Sequence, residues 1–354
     1  MNSTNVGGAE TFMMKILRNI DRTKYMIDFC INVFDKCDYD DEITSYGSTI
    51  YRIPSKTENF FSFRKQLYKI VREHNYEYVL RITSNAGGFY DLKVAKKAGA
   101  KVCAARSSNS SDGNSVKQRI FHIIGKKMWM KYIDIKIAPS KKAAKYTFNS
   151  TDGVIILNNG LDLNTFSYNE SYRKIVRNQM QIRDNTMLIG HIGRFEKQKN
   201  HAFLIDVFDE YHKLNANSLL MLVGVGSLQE QIKKTVLDRG LEDCVLFAGL
   251  RDDVFKLLSA MDFMVLPSLY EGMPNVIIEA QASNLPCLLS DTITNEVRMS
   301  SLVSFASLKN DLPQKWAKLI VKNEDRFAFN NCLKINGYGI DDVCTSFVKA
   351  VFGE

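Results

Sequence analysis

The sequence predicts an α/β protein built from two doubly wound domains, and three observations carry that prediction. Short apolar runs alternate with amphipathic helical spacings along most of the chain. The alternation occurs twice, before and after Asn158-Asn159-Gly160-Leu161-Asp162, where an apolar run gives way to a glycine turn, as at a domain junction. Glycines stand where strands hand over to helices, at Val223-Gly224-Val225-Gly226-Ser227 and at Phe247-Ala248-Gly249-Leu250. Repeated strand–helix units give parallel sheets with right-handed crossovers. Two series of them give two domains facing each other across a cleft, and 354 residues suit two domains. The expected division is 1–157, then 158–336, with 337–354 as a C-terminal helix returning to the first domain.

In order, Val6-Gly7-Gly8-Ala9-Glu10 is a glycine turn and Thr11–Ile20 an amphipathic helix. A strand is expected ahead of such a turn, and only five residues precede it. Either the domain lacks its first strand or the chain begins downstream of its natural start. Met26–Val33 and Ile50–Ile53 read as strands, Ser62–His74 as a helix and Tyr78–Ile82 as a strand. Gly87-Gly88 breaks the chain before helix Tyr90–Ala98. Strand Val102–Ala105 leads to a polar, mobile loop, Ser107–Ser115, then a long basic helix, Val116–Tyr132. Strand Ile135–Ala138, a helix at Lys141–Phe148 capped by Ser140, and strand Val154–Leu157 close the first half.

Helix Tyr168–Gln181 opens the second half. Three strand–helix pairs follow: Met187–Ile192 with His201–Leu214, Leu219–Val223 with Leu228–Asp238, and Val245–Phe247 with Asp253–Ser259. Asp252 or Asp253 is placed to cap the last of these helices. Strand Met264–Leu266, helix Val276–Ala282, strands Cys287–Leu289 and Val303–Phe305, and helix Leu312–Val321 complete the reading.

A hydrophobic content of 45% and a charged content of 24% are those of an ordinary soluble protein. No apolar run approaches the roughly 20 residues of a membrane span. The polar start MNSTNVGGAE is not a signal peptide, so a cytoplasmic location is expected. Seven cysteines without a CxxC pair fit a reducing compartment and argue against a structural metal site. Charge is uneven. Residues 1–160 hold 26 Lys and Arg against 15 Asp and Glu, and 161–354 hold 21 against 24. The basic half suits anionic headgroups or a phosphorylated acceptor. No nucleic-acid recognition motif accompanies the charge.

The chemistry centres on Met264–Ser290, where Glu271 in a loop and Glu279 on the following helix have seven residues between them. A helix start carries unpaired N–H groups and partial positive charge. Gly272 admits a ligand to the backbone. The N–H groups of Gly272, Met273 and Asn275 could face a diphosphate, while Pro274 has none and suits the first helical position. Arg194 and Lys199, after strand Met187–Ile192, supply two positive charges at the carboxyl end of a strand, where α/β proteins bind ligands. Such a clamp acts most strongly where charge grows in a transition state. The plainer alternative is a helix-cap loop with two solvated glutamates and two solvated cations.

Together, Gly7-Gly8-Ala9-Glu10, Asn159-Gly160-Leu161-Asp162, Arg194 with Lys199, VGVGSL, FAGLRDDV and Glu271 with Glu279 resemble family 4 of the retaining glycosyltransferases, which have the GT-B fold of two Rossmann-like domains. PSLYEGMPNVIIEAQASNLPCLLSDTITNEV and QKWAKLI look most like capsule and exopolysaccharide enzymes of that family. The resemblance implies that Arg194 and Lys199 hold the donor diphosphate and that Glu279 binds the ribose hydroxyls. It implies that Glu271, with the backbone of Gly272, Met273, Pro274 and Asn275, holds the transferred sugar and distal phosphate. Gly224 and the backbone of Leu250 and Arg251 would border the base. Gly7 and Gly8 would let the N-terminal loop approach the diphosphate. No cofactor or metal is implied.

One departure is visible. The family's histidines after two N-terminal strands are replaced here by Leu80-Arg81-Ile82-Thr83-Ser84 and Arg106-Ser107-Ser108-Asn109. Arg106 is then the candidate contact to sugar or phosphate, but it cannot act as a neutral base. His191 and His201 flank the clamp and read as packing or helix-entry residues.

The resemblance therefore implies a retaining hexosyltransferase that uses a UDP-sugar and a lipid-linked glycan acceptor. Its rivals are a non-catalytic nucleotide-sugar-binding scaffold and a sugar-nucleotide epimerase on the same fold. Lys117–Ile133, basic and carrying Phe121, Trp129 and Tyr132, is a candidate peripheral membrane contact. Its rival is a core-packed helix with a basic edge.

Overall fold

A computed structural model of the chain describes residues 1–108, 116–323, 326 and 332–353. The expectations for Asn109 and for the rest of its loop to Ser115 lie outside the described residues. The chain forms two compact units, Met1–Gly160 with Gly337–Glu354, and Leu161–Asn336.

The first unit opens on helix α1 (Gly8–Asn19), starting three residues earlier than its apolar spacing predicts because Gly7 can serve as its N-cap. Strand β1 (Phe29–Ile31), helix α2 (Asp40–Ser45) and strand β2 (Ile50–Arg52) follow. Asn59 caps helix α3 (Phe60–Glu73) by accepting from Ser62 N–H. Strand β3 (Tyr78–Thr83), helix α4 (Phe89–Ala98) and strand β4 (Val102–Ser107) come next. Helix α5 (Val116–Trp129) is shorter than expected, its last turn tightening to a 3-10 helix at Met130–Tyr132. Strand β5 (Ile135–Ala138), helix α6 (Lys141–Phe148, capped by Ser140) and strand β6 (Val154–Ile156) end this run. The strands are parallel, but they form two ladders, β1–β2 and β3–β4–β5–β6.

The second unit begins with helices α7 (Leu163–Phe166) and α8 (Glu170–Gln179), capped by Asp162 and Asn169. Strand β7 (Met187–Ile192), helix α9 (His201–Leu214), strand β8 (Ser218–Val223), helix α10 (Gln229–Asp238), strand β9 (Val245–Gly249) and helix α11 (Val254–Ala260) follow. Then come strand β10 (Phe263–Leu266), helix α12 (Asn275–Ala282), strands β11 (Cys287–Ser290) and β12 (Val303–Ala306), and helices α13 (Pro313–Lys318) and α14 (Cys332–Ile335). All six strands form one parallel sheet in the order β12-β11-β10-β7-β8-β9. Its central strands are buried along their whole length, as expected for a sheet covered on both faces. Trp316 of α13, fully buried, packs with Phe203, Phe208 and Leu204 on that core.

Helix α15 (Ile340–Phe352) belongs to the first unit. It packs on α1, with the rings of Phe12 and Phe347 edge to face at 6.2 Å. Gly160 sits against it in a left-handed conformation, where a Cβ would lie 2.7 Å from Ile340 Cδ1.

Candidate active site

In the second unit, β8 and β9 lie to one side of β7, while β10, β11 and β12 lie to the other. The strand order reverses between β7 and β10, and the carboxyl ends of strands at such a reversal are where open α/β sheets bind ligands. The loop after β7 carries Arg194 and Lys199. The loop after β10 carries Glu271 and leads into α12.

These two loops are joined directly. Lys199 Nζ lies 2.6 Å from Glu271 Oε1, both side chains being largely buried. Ser268 Oγ donates to the same carboxylate oxygen at 3.0 Å. Leu269 N–H donates to Gln198 C=O at 2.8 Å, Gln198 Nε2 to Tyr270 C=O at 2.9 Å and Asn200 Nδ2 to Pro267 C=O at 3.2 Å. Arg194 is exposed and takes part in none of the ion pairs found among the described residues. Glu279 sits half-buried on α12, in its second turn. Pro274 is the N-cap of α12 and not its first helical residue, since its ψ of 105° is extended, and Asn275 begins the helix.

The loop after β8 packs against the loop after β7 with no room for side chains. Gly224 has φ +130°, and a Cβ there would lie 2.3 Å from Gly193 C=O; one on Gly226 would lie 2.6 Å from Phe195 N. Gly193 N–H donates to Val223 C=O and Phe195 N–H to Val225 C=O. Gly224 therefore serves first as the close-approach point that sets the clamp loop. A register shift brings Gly249 opposite Val223, and Leu250 beyond it is 79% exposed. Arg251 forms a two-pronged ion pair with Asp253, with bonds of 2.8 and 2.7 Å. That occupies Asp253, which stands at the N-cap of α11 but makes no side-chain cap bond.

Beneath the clamp lie His191 and His201, 0% and 2% exposed, their rings edge to face at 4.6 Å. His191 Nδ1 bonds Val265 C=O at 2.9 Å. Burial lowers both pKa values, that of His201 to about 4, so both rings are neutral near pH 7 and pack the loop from below. At the other end of the strands, Asp262 accepts from Leu188 N–H at 2.8 Å and pairs with Arg173 and Arg177. It ties β7 to β10, and the sequence reading had not singled it out. An Asp just ahead of a buried strand, with two arginines on one preceding helix face, is the signal that could have found it.

In the first unit, Gly7 and Gly8 form the start of α1. Nothing crowds a Cβ at Gly8, while one at Gly7 would meet the Glu10 carboxylate. Arg106 departs from its expected role. It is 1% exposed, its guanidinium stacks 3.6 Å from the Phe12 ring centre, and Nη2 donates to Asn159 Oδ1 at 2.6 Å. Burial brings its pKa down to about 9. A side chain so enclosed braces β4 against α1, and a ligand contact would require it to leave that seat. Trp129 likewise faces inward, edge to face with Tyr90 at 5.3 Å. The side chain of Phe121 lies outside the described residues. The exposed face of α5 is aliphatic instead, with Ile120, Ile123, Ile124 and Met128 spaced along one side.

A sheet whose order reverses at a cationic loop and a helix mouth flanked by carboxylates is what a glycosyltransferase of the GT-B fold presents. The comparisons agree. Residues 186–322 match the family model Glycosyl transferases group 1. EpsF of Bacillus subtilis (strain 168), a glycosyltransferase by name, is 32% identical over 91% of this chain and 86% of its own. The capsular polysaccharide biosynthesis glycosyltransferase CapH of Staphylococcus aureus is 24% identical over 92% and 91%. Among solved structures, Anabaena Alr3699/HepE in complex with UDP and glucose superposes with a TM-score of 0.71 at 16% identity, covering 99% of this chain and 94% of that one. The chain belongs to the group 1 glycosyltransferases.

Proposed function

We propose that this glycosyltransferase transfers a hexose from a UDP-sugar, with retention at the anomeric carbon, to a lipid-linked glycan. The single observation that carries the reading is the Lys199–Glu271 pair at the reversal point of the sheet, beside the opening of α12. A diphosphate arriving there would draw Lys199 away from Glu271 and free that carboxylate for the sugar hydroxyls. Arg194 would add the second charge, and the first N–H groups of α12 would face the phosphates. Glu279 would hold the ribose.

Both histidines near the clamp are neutral and enclosed, and Arg106 is no base. Retention would then proceed on one face of the sugar. The C1–O bond to the phosphate breaks as the bond from C1 to the acceptor oxygen forms, and the departing phosphate oxygen takes the acceptor's proton. Positioning and charge stabilisation would supply the rate enhancement. No metal is assigned a part, so transfer is expected to persist in EDTA.

The choice of donor and acceptor draws support from the Escherichia coli relative named UDP-Gal:alpha-D-GlcNAc-diphosphoundecaprenol alpha-1,3-galactosyltransferase, 24% identical over 77% of this chain. No helix among the described residues is long and apolar enough to cross a membrane. Contact with a lipid acceptor would therefore be peripheral, through the aliphatic stripe of α5 and the exposed Lys127 and Lys131.

The test is turnover of a panel of UDP-sugars with and without lipid-linked acceptor. Product formation abolished in Arg194→Ala and Glu279→Ala supports the transferase. UDP binding without turnover indicates a scaffold, and isomerised donor an epimerase. Reversing Lys127 and Lys131 to Glu should weaken binding to anionic vesicles, and unchanged binding would remove the membrane contact.

A further inference from the structure

Beneath the clamp, His191 Nε2 and both ring nitrogens of His201 are buried without a partner among the described residues. Packing accounts for His201. Its ring lies flat on Phe195 at 4.2 Å and meets His191 edge to face. His191 Nε2 is different, because its protonation state is fixed. Nδ1 bonds Val265 C=O, and a carbonyl oxygen only accepts, so Nδ1 carries the proton. Burial, with the neighbouring His201 and Lys199, holds the pKa of His191 well below the ordinary histidine value, so the ring carries no second proton. Nε2 is therefore a bare lone pair, and only a donor can satisfy it.

The donor that the geometry offers is the Lys199 ammonium. A Cβ on Gly193 would lie 3.0 Å from Lys199 Cε and 3.2 Å from His191 Nε2. The end of the lysine stem and the lone pair thus border one small space beside that glycine. The backbone of Lys199 is held in place. Its N–H donates to Glu196 C=O at 2.9 Å, and Asn200, next along, has φ +56° and is tied to Pro267 C=O. The side chain is the part that can turn. Its bond to Glu271 uses one of the three N–H groups of the ammonium.

We infer that His191 is a positioning residue for donor binding: once a diphosphate draws Lys199 away from Glu271, His191 Nε2 accepts one of the ammonium's N–H groups and holds it facing the phosphates. The inference rests on the diphosphate reading of this site. With Lys199 on Glu271, the lone pair is buried and unpaired, which is costly. The new bond removes that cost and offsets part of the ion pair that Glu271 gives up. Neutrality matters for the same reason, since an imidazolium would repel the ammonium and have no lone pair to offer it. The carbonyl of Val265 sets the tautomer, so β10 decides what β7 presents to the clamp loop.

Calorimetric titration of UDP into the full chain, His191→Asn, Lys199→Ala and the double variant tests this. Asparagine keeps an N–H where Nδ1 stands and has nothing in place of Nε2. His191→Asn should weaken UDP binding about tenfold, and adding it to Lys199→Ala should weaken binding no further. A further loss of the same size in the double variant would make His191 merely structural and overturn the inference. Affinity lost in Lys199→Ala but kept in His191→Asn would overturn the inference alone. Affinity unchanged in Lys199→Ala would overturn the diphosphate reading with it. Nitrogen NMR of the unmutated chain gives a second reading that needs no variant to fold. The His191 Nε2 resonance should move upfield on adding UDP, as a lone pair does on accepting a hydrogen bond. No movement, or a resonance already shifted before UDP is added because water holds it, would overturn the inference.

Discussion

The two units repeat one architecture and differ at the middle of the sheet. In Leu161–Asn336, β7 and β10 lie side by side and Asp262 ties them at one end, so the loops at the other end are held in register. In the first unit the corresponding middle is split between β1 and β3, bridged among the described residues by Met1–Asn2 at one end and by the Tyr76 hydroxyl donating to Asp28 at the other. The proposed grip on a phosphorylated donor falls to the unit whose centre is closed. Sub-ångström placement of charge needs a continuous, packed support, and an interrupted sheet supplies less of it.

Breaking the closed centre should cost most. Asp262→Ala leaves Arg177, whose side chain is fully buried, without its counter-charge. A loss of about 3–5 kcal/mol in urea denaturation is expected. A loss below about 1 kcal/mol would mean that the tie between β7 and β10 is not what steadies the site. Next come the clamp residues. Lys199→Ala and Arg194→Ala should each lower kcat about 10²–10³-fold, ~2.7–4 kcal/mol; exposed Arg194 should do so with little change in melting temperature, whereas Lys199→Ala also leaves Glu271 without its counter-charge. An equal loss of stability and rate in Arg194→Ala would make that residue structural.

Gly224→Ala should cost about 1–3 kcal/mol, since the residue has positive φ and backbone lies 2.3 Å from the added carbon. It should also raise the KM for donor, because the clamp loop must move. The open unit offers an effect read as a slope with pH. Its amine titrates near pH 5 when folded and 8.0 when unfolded. Between those values the unfolded chain binds the proton that the folded one rejects, so stability rises with pH by at most about 1.4 kcal/mol per unit. Acetylating Met1 should flatten that slope, and an unchanged slope would place the amine in solvent.

Much of this was legible beforehand, for a physical reason. Parallel strands covered on both faces are continuous apolar runs, and β7, β8 and β10 declare themselves as such. The clamp residues stood next to glycines that mark strand ends. The bond from Lys199 to Glu271 spans 72 residues, and no local pattern encodes it. The burial of Arg106 was not legible because a motif position says nothing of depth; Phe12, on another element, encloses it. The basic helix left a membrane contact and a core-packed face both open; Trp129 turns inward to Tyr90 and isoleucines face out. Helix periodicity shows a stripe but not what covers it. That Met1 and Asn2 bond along β1, at Cys30 and Asn32, needed coordinates.

Calorimetric titration of UDP into the full chain, compared with Arg194→Ala and Glu279→Ala, goes straight to the grip at the β7–β10 crevice. One site per chain is predicted, weakened tenfold or more by either substitution. Absence of heat with both uridine and guanosine diphosphate, or equal affinity in all three proteins, would contradict it.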